Sequence, residues 1–334
     1  MKVNKIPIEQ VILRRLKKET HSYLSGQTLS NAFGLSRTAI WKHIHAIKDM
    51  GYDIEASPAR GYRLNIENLP FNKIEISSNL KTSFIGRDIA FYKEIDSTND
   101  TAKEFAAKGA EEGAVTVADC QKKGKGRLSR RWESPAGVNI YTSIILRPNI
   151  SPMFAPQLTL VSAVAVAETV AKFLNTGSGY KPEPTVKWPN DILINSKKTA
   201  GILTEMNSEM DRINFVVIGI GVNVNMTKKM FPEELRQIAT SLKEETGRDI
   251  SRIDFIQTLY LNMERWYKEY IKNGFEPVRK AWTDYFNMRG KMVKVQQLNS
   301  VIEGIAIGID NYGALLLKGK DGKVARILSG DVTV

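Results

Sequence analysis

The sequence contains little cysteine and little histidine, and each shortage excludes a class of site. One of the 334 residues is cysteine, Cys120, which excludes a disulfide within this chain and an all-cysteine metal site. The histidines at 21, 43 and 45 all lie in the first 45 residues. The later residues therefore cannot form a Ser-His-Asp triad or a histidine-ligated zinc site. Chemistry there must use Lys, Arg, carboxylates and backbone N–H groups, which favours phosphate or nucleotide chemistry.

Long uninterrupted apolar runs are also missing. The most apolar helical stretch, residues 158–174, contains Ser162, Glu168 and Lys172, so no membrane span is predicted. The first residues, MKVNKIPIEQ, lack the apolar core of a signal peptide. A single cysteine fits a reducing compartment. These features predict a soluble, cytoplasmic protein with no membrane partner.

Positive charge is concentrated at the start of the chain. The 48 Lys and Arg exceed the 36 Asp and Glu by 12, and hydrophobic residues make up an ordinary 42%. Residues 1–65 hold eleven Lys and Arg against five acids, a net +6. Half of the excess charge therefore lies in a fifth of the chain, which is where an anionic partner is expected.

The same segment has the pattern of a winged helix-turn-helix. Helices are predicted over 8–24 and 28–33, and Ser36 caps a further helix that ends near Gly51. Ile40, Ile44 and Ile47 share one face of that helix. Short strands at 53–56 and 62–64 form the hairpin that makes the wing.

The face opposite the isoleucines predicts DNA binding through the recognition helix and the wing. The alternative is a small helical domain with a solvated basic face, which we consider weaker because basic and hydroxyl side chains cluster there. The DNA-binding candidates are Ser36, Arg37, Thr38, Trp41, Lys42, His45 and Arg60.

After a linker predicted at 67–72, strands and helices alternate. Helices are predicted over 98–108 and 158–174, and strands over 89–92, 114–120, 139–146, 185–188, 192–194, 203–206 and 215–224. From about residue 285 the segments 292–296, 301–309, 314–318 and 324–328 are short strands separated by turn signals. The fold class is therefore multidomain α+β, with predicted domains at 1–66, 67–284 and 285–334.

Three turns in the middle of the chain carry polar residues, and each has a structural alternative. The Ser97-Thr98-Asn99 turn is either a helix N-cap or a set of ligand hydrogen bonds. Residues 121–132 carry six cations, no acid and two glycines, as in a solvated basic loop or in a loop that covers phosphates. The spacing there fits neither a Walker A motif nor G-x-G-x-x-G.

The third turn follows a predicted strand in the segment KWPND. Lys187 lies on that strand directly before Trp188 and Pro189, so its neighbours are expected to restrict its side chain. A structural pair between a lysine and an aspartate is the alternative to a catalytic lysine. Gly219 and Gly221 lie within a later strand, which predicts close approach by a ligand or another backbone.

In this order STN, QxxGKGR…RRW, KWPNDIL, KxxGIL and GIGVNVN resemble the motifs of the biotin protein ligases. With the winged helix the chain resembles the bifunctional ligase–repressors of bacteria, and the resemblance covers nearly the whole chain. It implies a class II synthetase-like central domain with a mixed sheet and a C-terminal SH3-like small β-barrel. The implied reaction joins biotin to AMP as biotinyl-5′-adenylate, with Mg²⁺ bound to ATP and no dedicated metal site, and then transfers biotin to a lysine of the biotin carboxyl carrier protein.

The resemblance also implies roles for individual residues. Lys187 and Arg127 are the implied catalytic residues, with Lys187 between the biotin carboxylate and the α-phosphate. The implied biotin-binding residues are Ser97, Thr98, Asn99, Gln121, Gly124, Lys125, Gly126, Arg127, Lys187 and Gly221. The implied nucleotide-binding residues are Arg127, Arg130, Trp132, Lys187 and Asn223. An adenylate-bound homodimer on operator DNA is the implied repressor.

Two residues depart from the commonest loop pattern of the family, G-R-G-R-x-G-R. Lys125 replaces the usual Arg and gives a point charge in place of a planar fork. Ser129 replaces the usual Gly, so the loop is expected to be stiffer. Both changes bear on retention of the adenylate more than on activity.

Three other functions remain open at this point. The central domain is alternatively a sensor without catalysis, a ligase for lipoate or octanoate, or a biotin ligase whose winged helix is only structural. Composition and spacing do not separate biotin from the other acids; the assembled motifs favour biotin.

Overall fold

Helices and strands of the computed structural model are described over residues 7–20, 22–175, 182–297 and 300–333. They fall into two units, residues 1–78 and 79–334. Each unit has its own buried apolar side chains.

Apolar residues at helical spacing build the first unit. Ile12, Leu16, Ile40, Ile44 and Ile47 are almost completely buried in one cluster. The elements are α1 (Ile8–Lys18), α2 (Gly26–Phe33), α3 (Arg37–Asp49), β1 (Ile54–Ser57), β2 (Gly61–Leu64) and α4 (Lys73–Ser77). This arrangement confirms the predicted helix-turn-helix with its wing.

The first helix is shorter than predicted. It ends at Lys18 instead of residue 24, because Leu24 is extended and exchanges two backbone hydrogen bonds of 2.9 Å with Tyr62 in the wing. The turn before α3 is as predicted. Gly34 has a φ of 66°, and the Ser36 hydroxyl accepts a hydrogen bond from the N–H of Ala39.

Helix α4 follows the predicted linker and belongs to the first unit. The Glu75 side chain is 3% exposed, and its carboxylate accepts hydrogen bonds from Lys17 of α1 at 2.7 Å and from the Tyr52 hydroxyl at 2.5 Å. A buried carboxylate needs such partners. They join α4 to the helical core.

The second unit is built on a seven-stranded mixed sheet in the order β3-β4-β5-β9-β8-β7-β6. Only β3 and β4 pair in parallel. The strands are β3 (Ile89–Tyr92), β4 (Val115–Ala118), β5 (Ile140–Leu146), β6 (Pro184–Lys187), β7 (Asp191–Ile194), β8 (Lys197–Glu209) and β9 (Arg212–Val222). The helices are α5 (Thr98–Ala107), α6 (Ala155–Leu174), α7 (Leu242–Thr246), α8 (Arg252–Asn273) and α9 (Glu276–Tyr285).

Strand β8 is much longer than predicted. The prediction covered 203–206, whereas the strand begins at Lys197 and forms a long hairpin with β9. Its polar start lacks a hydrophobic pattern, but Lys197 and Lys198 pair with Ile194 and Leu193 of β7. Backbone pairing, not side-chain hydrophobicity, extends the strand.

Helix α6 is apolar on nearly all sides because it packs in the core. A segment ending at Leu174 is long and apolar enough to cross a membrane. However, 72% of its most apolar 18-residue stretch is buried inside the protein. It packs against α8, α9 and the sheet, as expected for a helix buried on most of its surface.

The C-terminal segment forms a separate antiparallel sheet in the order β13-β12-β11-β10-β14. Its strands are β10 (Met292–Gln296), β11 (Val301–Ile309), β12 (Leu315–Lys318), β13 (Val324–Ile327) and β14 (Asp331–Thr333). Four of these strands were predicted. Strand β14 was not, because three residues are too few to show an alternating pattern.

A buried carboxylate joins α8 to the loop after the first unit. Glu264 accepts backbone hydrogen bonds from Ser83, Phe84 and Ile85 and pairs with Lys268 at 2.7 Å. Burial alone would raise the pKa of Glu264, but the bond from Lys268 and those from the backbone outweigh burial and lower the pKa to about 2.

We predict that Glu264→Gln destabilises the second unit by on the order of 2–3 kcal/mol at pH 7. The ionised form is stabilised in the folded state, so the contribution is complete above the ordinary pKa of 4.5. It disappears as the pH falls towards 2. Denaturant unfolding at pH 7 and pH 3, followed by tryptophan fluorescence, measures the difference between variant and wild type. The control is Glu104→Gln, a substitution of an exposed glutamate. An equal difference in unfolding free energy between Glu264→Gln and wild type at both pH values would contradict the proposed role of the Glu264 charge.

Candidate functional site

A cavity of about 600 Å³ lies over one face of the mixed sheet. Its wall is formed by the start of α5, the basic segment 121–132, the β6–β7 hairpin, strands β8 and β9, residues 231–239 and Asp331 of β14. It brings together all but one of the predicted ligase-site residues: Ser97, Thr98, Asn99, Gln121, Lys125, Gly126, Arg127, Arg130, Trp132, Lys187, Gly221 and Asn223.

The exception is Gly124, which lies behind the wall. A Cβ built at Gly124 would lie 2.4 Å from the carbonyl oxygen of Trp132 and 2.6 Å from Oγ of Ser134. The N–H of Trp132 donates to the carbonyl of Gly124 at 2.9 Å. This glycine therefore allows the loop backbone to close on itself.

One end of the cavity is a network of buried hydroxyl and amide groups. The N–H and hydroxyl of Thr98 donate to Oε1 of Gln121 at 2.9 and 3.1 Å. Oγ of Ser143 lies 2.8 Å from the Thr98 hydroxyl and 2.6 Å from Oδ1 of Asn99. Ser97 caps α5 through the N–H of Asp100. Ser97 therefore forms the predicted N-cap, while its neighbours Thr98 and Asn99 belong to the polar network.

Charged side chains connect this end to the basic loop. Nδ2 of Asn99 donates to Glu205 at 2.9 Å, Glu205 pairs with Lys103 at 2.7 Å, and Lys103 lies 3.0 Å from Asp100. Asp100 in turn pairs with Lys125 at 2.6 Å. Burial opposes ionisation of Asp100, but hydrogen bonds from Lys125 and Lys103 outweigh it and keep its pKa below the usual range. Lys125, which replaces the arginine usual in the family, thus has Asp100 as its anionic partner.

The basic loop folds back over the sheet. Gly126 donates its N–H to the carbonyl of Arg130 at 2.7 Å. Leu128 and Ser129 have φ angles of 54° and 59°, a left-handed conformation that glycine adopts without strain and serine does not. Ser129 therefore has the backbone conformation that favours the glycine usual at this position.

The loop arginines reach the C-terminal sheet. Arg127 donates to Oδ1 of Asn190 at 3.2 Å and to the carbonyl of Gly330 at 3.3 Å. Arg130 forms an ion pair with Asp331. Asp331 was not a predicted site residue, since it lies in a short strand more than 200 residues from the loop.

The strand glycines make room for side chains. A Cβ built at Gly219 would lie 2.1 Å from Oδ1 of Asn99, and one at Gly221 would lie 2.6 Å from the Trp132 ring. The groups that approach these glycines are the side chains of Asn99 and Trp132, whereas the sequence predicted a ligand or another backbone. The indole N–H of Trp132 is buried and has no hydrogen-bond partner in the described part of the chain, which leaves it able to donate to a ligand.

Lys187 lies at the end of β6 and is half-buried in the wall. In the described ranges its ammonium has no ion-pair partner, whereas Asp191 pairs with Lys198 at 2.6 Å. The aspartate of the predicted structural pair therefore binds a different lysine. Cations outnumber acids in this wall by six to three: Lys125, Arg127, Arg130, Arg131, Lys187 and Lys198 against Glu133, Asp191 and Asp331.

Asn223 lies at the far end and is 5% exposed. Its Nδ2 donates to the carbonyl of Thr240 at 3.1 Å and its Oδ1 lies 3.4 Å from Nδ2 of Asn139. The apolar wall there comes from residues 231–239, which were not predicted as part of the site. That segment lies in short turns without periodicity.

The candidate DNA-binding residues form an exposed face of the first unit. Arg37, Thr38 and Lys42 are exposed on α3. Trp41 is half exposed, and its ring lies 3.9 Å from that of His45. In the wing, Arg60 lies over the Tyr23 ring at 4.1 Å. A helix and a hairpin with basic, exposed side chains suit a DNA groove and its phosphates.

Comparison with known proteins gives matches along the whole chain. Family models match at residues 9–63 (HTH domain), 91–223 (biotin/lipoate A/B protein ligase family) and 290–334 (biotin protein ligase C terminal domain). The bifunctional ligase/repressor of Bacillus spizizenii is 44% identical over 93% of both chains. That of Escherichia coli is 30% identical over 100% of this chain and 98% of its own.

Solved structures match about three quarters of the chain. A biotin protein ligase from Aquifex aeolicus, in complex with biotin and ATP, has a TM-score of 0.63 and 30% identity. It covers 74% of this chain, and the match spans 98% of that protein. Together with the assembled cavity and the exposed helix-turn-helix face, these matches show that the chain belongs to the biotin protein ligase family, among its bifunctional ligase/repressors.

Proposed function

We propose that the cavity described above carries out both steps of biotin transfer, and that the residues assembled there have the roles predicted for them. One observation carries this proposal. The ammonium of Lys187 forms no ion pair with any described residue, and it lies in a cationic wall beside a neutral polar pocket. The first step brings the biotin carboxylate to the α-phosphate of ATP, two anions that repel each other in water. Cations fixed between them reduce that repulsion.

The neutral end suits biotin. The buried hydroxyl and amide groups of Ser97, Thr98, Asn99 and Gln121 offer donors and acceptors without net charge, which suits a neutral ring that carries an amide-like group. Gly221 admits the Trp132 ring against the sheet, and Gly124 allows the loop backbone to close on itself. We assign Lys125, Gly126 and Arg127 to the acid chain of biotin, since they line the same cavity.

The cationic end suits the nucleotide. Arg127 and Lys187 lie in the same wall, so both can neutralise the carboxylate and the α-phosphate. Arg130, Trp132 and Asn223 lie beyond them towards the adenine side in this proposal. ATP brings Mg²⁺ bound to its phosphates. No enzyme nucleophile is needed, in agreement with the missing histidines: a carboxylate oxygen bonds to the α-phosphorus and pyrophosphate leaves.

In the second step a neutral lysine amine attacks the acyl carbon of the adenylate. The amide bond forms, the acyl–phosphate bond breaks, and AMP leaves with the electron pair. We propose that this lysine belongs to the biotin carboxyl carrier protein. The family model that matches residues 91–223 also covers lipoate ligases, so the acid must be tested directly.

The test is pyrophosphate release and carrier modification with Mg-ATP and biotin, lipoate or octanoate. Product that needs both biotin and the carrier supports the proposal. Product with lipoate or octanoate alone would keep the chemistry and change the substrate. No product with any acid would leave the second unit as a sensor.

We further propose that the chain acts in the cytoplasm as an adenylate-responsive repressor. The adenylate-bound homodimer would occupy two half-sites of operator DNA, because a two-fold dimer matches a two-fold site. Support comes from the exposed basic face of α3 and from the relatives that are bifunctional ligase/repressors.

We predict that Lys187→Ala lowers the rate of adenylate formation by on the order of 10²–10³-fold, because the uncompensated cation in the wall is lost. Biotin-dependent exchange of pyrophosphate into ATP measures this step. The thermal unfolding transition should remain, since Lys187 makes no ion pair within the described structure. Normal exchange in the variant would refute the assignment.

We predict that Gly219→Ala weakens biotin binding by about tenfold or more, because the added methyl group displaces the Asn99 amide. Isothermal titration calorimetry with biotin measures the affinity. The matched control compares the biotin affinity of the single variant Asn99→Ala with that of the double variant Asn99→Ala/Gly219→Ala. Once Asn99 is truncated, the glycine substitution should cost little more, and an undiminished further loss would show that the clash lies elsewhere.

We predict that Arg37→Ala weakens operator binding about tenfold while carrier biotinylation is unchanged. Arg37 is exposed in the first turn of α3, outside the unit that holds the cavity. Gel-shift titration at fixed salt with biotin and ATP gives the affinity. Arg14→Ala, exposed on α1, is the control, and a ligation defect of equal size would disprove the separation.

A further inference from the structure

Lys187 has an oppositely charged neighbour with which it does not pair. Lys187 and Asp191 are directly opposite each other in the antiparallel β6–β7 hairpin. Directly opposite residues project from the same face of a sheet, with Cβ atoms roughly 5 Å apart. Both side chains line the cavity. Opposite charges in such positions ordinarily attract each other, which would leave Lys187 compensated.

The Asp191 carboxylate forms an ion pair with Lys198 instead, and the contact is one of charge and distance, since Oδ1 of Asp191 has no hydrogen-bond partner among the described residues. Nζ of Lys198 lies 2.6 Å from Oδ1 of Asp191, and the two side chains are 35% and 20% exposed. No ion pair joins Lys187 to Asp191 or to another acid among the residues described. Asp191 has therefore been neutralised by a lysine from the next strand.

The fold positions Lys198 for this contact. Gly201 is directly opposite Asp191, and a Cβ built there would lie 3.2 Å from Cε and 3.4 Å from Nζ of Lys198. The side chain of Lys198 therefore crosses the space that a residue other than glycine would occupy. The Trp132 ring covers it, with Nζ 5.4 Å from the ring centroid.

A register irregularity brings Lys198 to this position. Leu193 pairs with Lys198, but its neighbour Ile192 pairs with Ala200, so Thr199 is an extra residue in β8. A bulge of this kind redirects the side chains beside it. The spacing of lysine and glycine in KxxGIL thus has a physical reason in this chain: the glycine vacates the path that the lysine follows.

We propose that Lys198 is a positioning residue that holds Asp191 away from Lys187 and so leaves the Lys187 ammonium uncompensated for the reacting anions. This inference rests on the proposed role of Lys187. Lys198 stabilises the carboxylate as its counter-ion and need not touch the substrate. Without Lys198, Asp191 would face Lys187, the residue directly opposite it in the hairpin, and a Lys187–Asp191 pair would present no net charge to the carboxylate and phosphate.

The experiment compares Lys198→Met, Lys198→Arg and Lys198→Met/Asp191→Asn by biotin-dependent pyrophosphate exchange. We expect kcat to fall about tenfold in Lys198→Met, because the partly buried Asp191 carboxylate would then pair with Lys187 and cancel its charge. Lys198→Arg should keep most of the rate. In the double variant the carboxylate is gone, so kcat should return to within about threefold of wild type, even though Lys198 is still missing.

The neighbouring lysine provides the matched control. Lys197 pairs with Ile194 in the same strand and is not part of the cavity wall, so Lys197→Met should leave kcat unchanged. Thermal unfolding checks that each variant is folded. If Lys198→Met has no transition, Lys198→Gln keeps the stem and allows the same comparison.

Two results would overturn the inference. One is a wild-type kcat in Lys198→Met, and the other is a double variant as slow as the single one, which would mean that Lys198 itself acts on the substrate. A normal rate in Lys187→Ala is a different failure, since it would remove the proposed role of Lys187 on which the inference rests.

Discussion

The site depends on a strip of bare backbone in the long pairing of β8 with β9. Gly201 lies directly opposite Gly221, and Gly219 lies two residues before Gly221 on the same face of the sheet. Because no Cβ projects there, three side chains pack on the strip, two from distant elements and one from β8 itself. Asn99 lies over Gly219, Trp132 over Gly221 and Gly201, and Lys198 beside Gly201. The pairing register thus determines which groups meet in the cavity.

The same register separates neutral from charged chemistry. A row of directly opposite residues runs from Lys187 through Asp191 and Gly201 to Gly221. Charge lies at its β6 end and the indole at its β9 end, while the amide of Asn99 lies one pleat away. The cavity therefore offers neutral hydrogen-bonding groups and cations close together, a combination complementary to a ligand with a neutral ring and an anionic tail.

Sequence patterns located most of these residues but not their partners. The glycines of β9 indicated close approach by a ligand or another backbone, since a glycine within a strand often marks such a place, whereas the structure shows side chains there. The groups that approach them, Asn99 and Trp132, lie 120 and 89 residues earlier in the chain, and spacing along one strand carries no information about them. Similarly, α3 was predicted almost to the residue because its isoleucine spacing is local, whereas three-residue β14 with Asp331 was not.

The lysines of β6 and β8 show most clearly where local patterns stop. The three lysines have the same side chain and similar surroundings in the sequence: Lys187 begins KWPNDIL, Lys198 begins KxxGIL, and Lys197 precedes it. What distinguishes them is one extra residue at Thr199, which rotates the strand so that Lys198 reaches Asp191 across Gly201. The pairing of a lysine with an aspartate was foreseeable from charge alone. Its consequence, a neighbouring lysine left without a counter-ion in the described structure, follows only from the register of three strands.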